Sequence, residues 1–301
     1  MRSSRPDELT ARLRTIGACW QQDIRAAGDA TKALYRPLLA EAPRANVTVI
    51  RDQRYGSHPR QVLDVYRPAG ACRAPVLAFV HGGAFVRGAK DIDALMYGNV
   101  LTWFARHGCV GVNIEYRLAP EARYPGGAAD VGQACQWIHR HIAGHGGDPG
   151  RLGLLGHSAG GTHVATLACN PLEALPRHGA CCIILVSARL KADVLPVNPN
   201  ADGVKAYYGD DPAVHAAASP LTHAANLDLP AMIVNAEFEN PLLDLYALEF
   251  SLALARSRAR AAAPLHLSVP DHNHVSVMAH FNTSEQWLAG EILAFLQRAG
   301  R

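Results

Sequence analysis

The stretch Arg151-Leu-Gly-Leu-Leu-Gly-His-Ser-Ala-Gly-Gly161 joins a short apolar run to a segment of helical character. It contains the pattern Gly156-x-Ser158-x-Gly160 where a buried strand would meet a helix, and this context gives the pattern its meaning. A tight strand-to-helix turn strains the serine backbone and leaves no room for side chains on either side. The hydroxyl group then projects above the sheet, next to the unpaired N–H groups of the helix start. The stretch therefore predicts that Ser158 is a nucleophile.

Short apolar runs alternate with longer helix-like segments along the chain. The runs that read as strands are Val47–Arg51, Gln61–Tyr66, Pro75–Val80, Cys109–Glu115, Arg151–Leu155, Cys181–Val186, Pro230–Asn235 and Pro264–Val269. The segments that read as helical are 6–42, Asp91–His107, Asp130–Ile142, Ala159–Cys169, Leu242–Ala262 and Ser284–Arg298. Continuous apolar runs are typical of strands that are buried on both faces. The pattern therefore predicts an α/β protein with a mostly parallel central sheet and helices on both faces.

The chain reads as a single domain over residues 1–301, since no linker or repeat divides it. The stretch Lys191–Asn226 interrupts the alternation with Pro, Asn, Asp and Gly. We expect it to be an insertion over the carboxyl edge of the sheet, where ligands of such folds bind. Together with residues 1–45 it is expected to form a small helical cap over Ser158. The aromatic residues that could line a pocket there, or alternatively pack between cap and core, are Trp20, Tyr35, Phe85, Tyr207 and Tyr208.

Composition excludes several function classes. The chain carries 29 basic and 26 acidic residues, and this net charge of +3 is too small to favour nucleic acid as a partner. No run approaches the roughly 18 apolar residues of a membrane span. The amino terminus has no apolar signal segment, and the seven cysteines form no Cys-x-x-Cys pair, so we expect a cytoplasmic protein with reduced thiols. The final helix, expected to be exposed, would permit a homodimer.

The loop His81-Gly-Gly-Ala-Phe85 follows the predicted strand that ends at Val80. Acyl transfer places negative charge on a carbonyl oxygen, and preorganised backbone N–H groups stabilise that charge. Glycines let successive N–H groups point into one cavity. The amides of Gly83 and Ala84, with that of Ala159, are therefore predicted to form an oxyanion hole. His81 is expected to brace the loop.

A serine hydroxyl needs an imidazole within hydrogen-bonding reach, itself oriented by a carboxylate. In this type of fold the base lies in the loop after the last strand, which here is Val269–Ser276. That loop contains His272 and His274. We favour His274 because it lies nearer the apolar side of the turn.

The acid should follow the strand Pro230–Asn235 and precede the base in the chain. We favour Glu239, just past the strand end. Glu237, nearer the strand, and Asp244, in the first turn of the next helix, remain alternatives.

No cofactor or metal is expected. The pair His272 and His274 could bind a metal ion, but no third ligand with suitable spacing is evident. The spacing of His139, His141 and His145 is that of a solvated helix face.

These features together resemble the α/β-hydrolase superfamily, over about residues 61–295. Within it the chain is similar to hormone-sensitive-lipase-like carboxylesterases and to the kynurenine formamidase and feruloyl-esterase-like group. The motifs that carry the resemblance are 81–85, Glu115-Tyr-Arg-Leu-Ala-Pro120, Gly146-Gly-Asp-Pro149, 156–160 and Ser219-Pro-Leu221. The resemblance implies oxyanion donors at Gly83, Ala84 and Ala159. It aligns a strand-end Gly-x-x-Asp signature with 236–239, which supports Glu239, and a His-Phe turn with His274 and Val275.

Three departures from the family pattern stand out. Glutamate replaces aspartate as the acid, Ala84 replaces a glycine, and Val275 replaces an aromatic residue. None of them removes a group that the chemistry needs. The sequence thus predicts a metal-independent serine hydrolase that cleaves carboxylic esters of small to medium size. The alternatives are hydrolysis of an aryl formamide such as N-formylkynurenine by the same triad and, more remotely, a catalytically silent binding protein.

Overall fold

A computed structural model describes residues 6–92, 95–169, 172, 175–257 and 263–300. The strands are β1 (Val47–Arg54), β2 (Val62–Pro68), β3 (Ala74–Val80), β4 (Val110–Ile114), β5 (Gly147–His157), β6 (Cys182–Val186), β7 (Ala231–Phe238) and β8 (Leu265–Asn273). The helices are α1 (Asp7–Ala18), α2 (Ile24–Ala40), α3 (Met96–Arg106), α4 (Gly126–His141), α5 (Ala159–Cys169), α6 (Ala201–Tyr208), α7 (Pro212–Ala218), α8 (Leu243–Ser257), α9 (Ser276–Ala279) and α10 (Trp287–Ala299). Short 3-10 helices span Ile142–His145 and Pro220–Asn226.

The strands form one eight-stranded sheet in the order β1-β2-β4-β3-β5-β6-β7-β8. The pairs β1–β2 and β2–β4 are antiparallel, and the remaining pairs are parallel. In register, Val80 pairs with Gly156 and His157 pairs with Val186. The carboxyl ends of β3, β5 and β6 therefore meet at one edge of the sheet, together with those of β7 and β8. This mostly parallel sheet confirms the predicted fold class.

Helices cover both faces of the sheet because successive strand residues point to opposite sides. On β3, Val76 and Ala78 pack on the face covered by α4, α5 and α8. Leu77 and Phe79 pack on the other face, against α3 and α10 and the two amino-terminal helices. All four side chains are fully buried, as the continuous apolar run predicted.

Several boundaries differ from those predicted. The segment 6–42 is helical as predicted but is interrupted between Ala18 and Ile24, and the helix expected over 91–107 begins at Met96. The end of the helix expected over 242–262 lies outside the described residues, and the structure gives α8 to Ser257. β8 continues to Asn273, four residues beyond its predicted end. The predicted base His274 therefore directly follows a strand instead of lying within a long loop.

The segments expected to form a cap contact different parts of the sheet edge. Helices α6 and α7, in the stretch 191–226, lie beside the loop that follows β3. The amino-terminal helices instead contact β8 and the helix α9 behind it. Residues 1–5 of the expected cap lie outside the described residues, and a cap over Ser158 stays a prediction.

The final helix was expected to be exposed, and this expectation is wrong. Helix α10 buries Leu288, Ile292 and Leu296 against the sheet. Exposed leucines lie instead on α8, at Leu245, Leu248 and Leu252. An exposed final helix therefore does not support a homodimer.

Candidate active site

Ser158 lies between the end of β5 and the start of α5, in the turn that the sequence predicted. Its φ angle is +54°, in the left-handed region that non-glycine residues rarely adopt. A Cβ on Gly156 would lie 2.6 Å from the Gly160 carbonyl oxygen, and one on Gly160 would lie 2.2 Å from the Val80 carbonyl oxygen. Neither position can accept a side chain. The two glycines are thus the steric condition for a turn that exposes the serine.

His274 and Glu239 approach Ser158 from the ends of the neighbouring strands. The His274 Nε2 atom lies 3.1 Å from the Ser158 Oγ atom. The His274 Nδ1 atom lies 2.5 Å from the Glu239 Oε1 atom. Both the histidine and the glutamate are buried, while Ser158 is half-buried and reachable from outside. Three residues that are remote in sequence therefore form one continuous chain of hydrogen bonds.

The Glu239 carboxylate is held by backbone amides as well as by the imidazole. Its Oε1 atom accepts from the Asn240 amide at 2.9 Å, and its Oε2 atom accepts from the Ala236 amide at 3.4 Å. Amide donors of this kind stabilise an ionised carboxylate and fix its orientation. The strand end of β7 thus presents the carboxylate to His274 in a defined direction.

The alternative acids lie elsewhere. Glu237 is exposed and accepts from the Asp271 amide at 2.6 Å. Asp244 is exposed as well and accepts from the Leu245 amide at 2.8 Å in the first turn of α8. Neither carboxylate is brought to His274.

The alternative base is fully buried and contacts other groups. The Nδ1 atom of His272 lies 3.0 Å from the Ser276 Oγ atom, and its Nε2 atom lies 2.7 Å from Glu285. Asn273, between the two histidines, shapes the turn: its side-chain oxygen accepts from the amides of Val275 and Ser276. The structure therefore brings His274, and not His272, to the serine.

The loop after β3 supplies backbone amides beside Ser158. A Cβ on Gly82 would lie 3.0 Å from the Ser158 Cβ atom, so the loop runs directly against the serine. Gly83 and Ala84 adopt φ angles of +139° and +50°. The amides of Gly83, Ala84 and Ala159 donate to no acceptor among the described residues. Donors without a partner at a helix start and in a left-handed loop can bind an anionic oxygen.

His81 braces this loop, as expected. Its Nδ1 atom lies 2.7 Å from the Gly82 carbonyl oxygen, and its Nε2 atom lies 3.3 Å from Glu115. The same buried carboxylate accepts from the Lys90 amide at 2.7 Å and pairs with Arg60. One glutamate thus anchors both ends of the loop.

Sequence reasoning missed the role of His157, which occupies a variable position of the serine motif. Its Nε2–H group donates to the His274 carbonyl oxygen at 3.0 Å. Burial lowers the pKa of His157 well below its usual range, so the ring is neutral. His157 therefore links the nucleophile turn to the base without adding a charge.

The aromatic residues named as pocket candidates pack on one another. Phe85 stacks on Tyr207 with ring centroids 4.7 Å apart, and Tyr208 meets Phe85 edge-on at 5.7 Å. All three are buried. Trp20 and Tyr35 are fully buried as well, among the amino-terminal helices. The packing interpretation therefore describes all five residues.

The backbone of α6 touches the loop after β3. A Cβ on Gly203 would lie 2.2 Å from the Ala84 carbonyl oxygen. Only glycine lets the helix approach this closely. The position of the Ala84 carbonyl group, which shares a Cα atom with the Ala84 amide, is therefore coupled to α6.

Among the described residues, no three or more His, Cys, Asp or Glu side chains form a group that could hold a metal ion. His141 and His145, from the predicted histidine face, lie against the Trp137 ring. No described helix has both the length and the apolar character needed to cross a membrane.

Comparisons with known proteins point in one direction. The BD-FAE family model matches residues 63–173. Esterase LipC of Mycobacterium tuberculosis is 40% identical over 116 residues, which are 38% of this chain and 28% of LipC. Esterase LipQ of the same organism is 27% identical over 249 residues, covering 76% of this chain and 57% of LipQ. The chain therefore spans less than two thirds of the length of either of these curated relatives.

A solved structure extends the match over nearly the whole chain. The Pyrobaculum calidifontis esterase superimposes with a TM-score of 0.69 and 22% identity, over 93% of this chain and 94% of that one. At this identity the likeness shows the shared fold alone.

Proposed function

We propose that this chain, an α/β-hydrolase related in sequence to hormone-sensitive-lipase-like carboxylesterases, hydrolyses carboxylic esters with Ser158 as nucleophile, His274 as general base and Glu239 as the orienting acid. The observation that carries the proposal is the continuous hydrogen-bond chain Ser158–His274–Glu239 at the edge of the sheet.

The direction of these bonds supports the role proposed for each group. The carboxylate can only accept, so the Nδ1 atom of His274 carries the proton that it shares with Glu239. The Nε2 atom then has a free lone pair directed at the Ser158 hydroxyl. Removal of that hydroxyl proton turns Oγ into a nucleophile, and the carboxylate stabilises the imidazolium that forms.

The reaction then proceeds in two halves. Oγ attacks the ester carbonyl carbon, and the carbonyl oxygen becomes an oxyanion held by the amides of Gly83, Ala84 and Ala159. His274 returns the proton to the departing alcohol, which leaves Ser158 acylated. Water activated by the same imidazole then attacks the acyl group and releases the acid and the free serine.

Small to medium esters are the substrates that this proposal favours. Phe85, Tyr207 and Tyr208 are buried against one another next to the oxyanion loop instead of lining an open channel. A long acyl chain that extended from the oxyanion loop towards α6 would have to separate these stacked rings, which costs the free energy of their contact.

Active-site titration with a fluorophosphonate, combined with turnover of p-nitrophenyl acetate and butyrate, tests the proposal. The wild type should incorporate one label per chain and hydrolyse both esters, and Ser158→Ala should do neither. Ser251→Ala is the matched control, since the Ser251 hydroxyl bonds within α8 and to His266 far from the site. Equal labelling of Ser158→Ala and wild type would refute the nucleophile assignment.

N-formylkynurenine belongs in the same substrate panel. Turnover of this formamide above that of the esters would replace the ester proposal, with the triad unchanged. A correctly folded wild type that turns over no ester or amide would instead support a non-catalytic protein on this fold.

A further inference from the structure

The loop that carries Glu239 is tied to the amino-terminal helices through an indole group. Trp20 lies between α1 and α2 and is fully buried. Its Nε1–H group donates to the Asn240 side-chain oxygen at 3.0 Å. The amide of the same asparagine donates to the Glu239 oxygen that His274 contacts. The Trp20 indole therefore orients Asn240, and the Asn240 amide in turn orients the Glu239 carboxylate.

The turn that carries His274 is tied to the same helices through a hydroxyl group. Thr31 in α2 is fully buried and accepts from the Asn273 side-chain nitrogen at 2.9 Å. The other end of that side chain accepts from the Val275 and Ser276 amides, which closes the turn around His274. Thr31 thus fixes the Asn273 side chain, which shapes the turn that carries His274.

Each of the two helices also lies next to the segment that it bonds to. A Cβ on Gly17 of α1 would lie 2.1 Å from the Phe238 ring, next to the acid. One on Gly28 of α2 would lie 3.7 Å from Val275, next to the base. Helix α1 therefore packs tightly against the acid loop, and α2 lies beside the base turn.

We propose that α1 and α2 are the element that sets the distance between Glu239 and His274, with Trp20 and Thr31 as its positioning residues. This inference rests on the proposed function, because it concerns the same pair. The inference gives the amino-terminal helices a role in maintaining the hydrogen bond between His274 and Glu239. This role differs from that of a cap over the substrate.

Replacing Trp20 with phenylalanine tests the acid side. Trp20→Phe keeps a buried aromatic ring and deletes the N–H donor. Trp103→Phe is the matched control, because Trp103 is also buried and its Nε1 atom has no hydrogen-bond partner among the described residues. We expect kcat to fall about threefold to tenfold in Trp20→Phe, the range for one lost hydrogen bond, with KM within about twofold. Trp103→Phe should keep the wild-type kcat.

Replacing Thr31 with valine tests the base side independently. Thr31→Val keeps the shape of the side chain and removes the acceptor, and Thr31→Ser restores it. Thr102→Val is the matched control, since the buried Thr102 hydroxyl donates only to the Gly98 carbonyl within α3. We expect Thr31→Val to lower kcat about threefold to tenfold and Thr31→Ser to recover most of the loss.

A spectroscopic measurement separates this inference from the proposed function. The proton shared by His274 and Glu239 should give a low-field NMR resonance, assigned by its loss in His274→Asn. Trp20→Phe and Thr31→Val should shift or broaden it, whereas both controls should leave it in place. This result needs no turnover, so a wild type without hydrolase activity would contradict the proposed function alone. The inference is overturned if the two variants match their controls in kcat and in this resonance.

Discussion

Two clusters of serine, histidine and glutamate lie next to each other in this molecule. The first cluster is Ser158, His274 and Glu239, and the second cluster is Ser276, His272 and Glu285. Each histidine bonds to its serine and its glutamate at 3.1 Å or less. The two histidines are separated by one residue along the chain. By residue type and distance alone, the clusters cannot be told apart.

Their surroundings differ in three ways. His272 and Ser276 are fully buried, whereas Ser158 is half-buried and reachable from outside. Ser276 begins the short helix α9, and its hydroxyl oxygen accepts from the Asn273 amide at 2.8 Å, while Ser158 has a strained backbone and no such donor on its hydroxyl. The loop with the left-handed residues Gly83 and Ala84 runs against the first serine, and its amides donate to no acceptor among the described residues. A catalytic constellation thus requires access, a strained turn and preorganised donors in addition to the three side chains.

Replacing each histidine with glutamine should distinguish the two clusters most strongly. His274→Gln removes the proposed base, and kcat should fall by at least about 10⁴-fold, as in other serine hydrolases whose base is removed. His272→Gln removes a buried partner of Glu285 and should lower the free energy of unfolding by about 1–3 kcal/mol, with less than a tenfold effect on kcat. Steady-state kinetics and urea denaturation of both variants measure the two effects. A larger loss of kcat in His272→Gln would contradict the assignment of the first cluster.

Neutralising each glutamate should give the next largest effect. Glu239→Gln keeps the shape of the side chain but no longer stabilises an imidazolium, and its amide can hold the His274 ring in the wrong tautomer. We expect kcat to fall by about 10²–10⁴-fold. Glu285→Gln should lower stability without a comparable kinetic effect, because its partner His272 does not reach the serine. Equal kinetic losses in the two variants would remove the distinction between the clusters.

Some parts of the site could be predicted from the sequence, and other parts could not. The serine turn and the glycine loop were predictable because each places a steric demand on neighbouring residues, which a local motif records. The fold and its chain order narrowed the acid and base to a few residues, and the structure brings Glu239 and His274 together. The bond from Trp20 to Asn240 joins residues 220 positions apart, and no local pattern in one sequence marks it. The end of β8 was missed since polar residues 271–273 continue a strand that began as an apolar run.

Gly203→Ala should sharpen the comparison at the loop amides that lie beside the first serine. The added methyl group would collide with the Ala84 carbonyl oxygen and displace the Ala84–Phe85 peptide, which shares the Ala84 Cα atom with the amide donor. We expect kcat to fall about tenfold to a hundredfold, less than the 10²–10³-fold that complete removal of an oxyanion donor costs. Gly290→Ala on α10 is the matched control, because a Cβ there meets nothing within 4 Å. An unchanged kcat in Gly203→Ala would argue against a coupling between α6 and the donors.

The smallest expected effect concerns a buried histidine of α5, the helix that begins directly after Ser158. It should appear in the stability of the protein and not in the rate. His163 of α5 is buried among Phe85, Tyr116 and Tyr207, and burial lowers its pKa to about 3. An unfolded histidine has a pKa near 6.5, so between these values the unfolded state binds one more proton than the folded state. The contribution of His163 to the free energy of unfolding is therefore fully present above about pH 6.5. It is lost as the pH falls, by about 1.4 kcal/mol per pH unit.

His163→Phe removes this contribution. Between pH 6.5 and pH 5, the variant should therefore lose about 1–2 kcal/mol less of its free energy of unfolding than the wild type, measured by urea denaturation. The two pH profiles should run parallel above about pH 7.5, where His163 is neutral in both states; parallel profiles below pH 6.5 as well would show that the buried imidazole accepts its proton without unfolding.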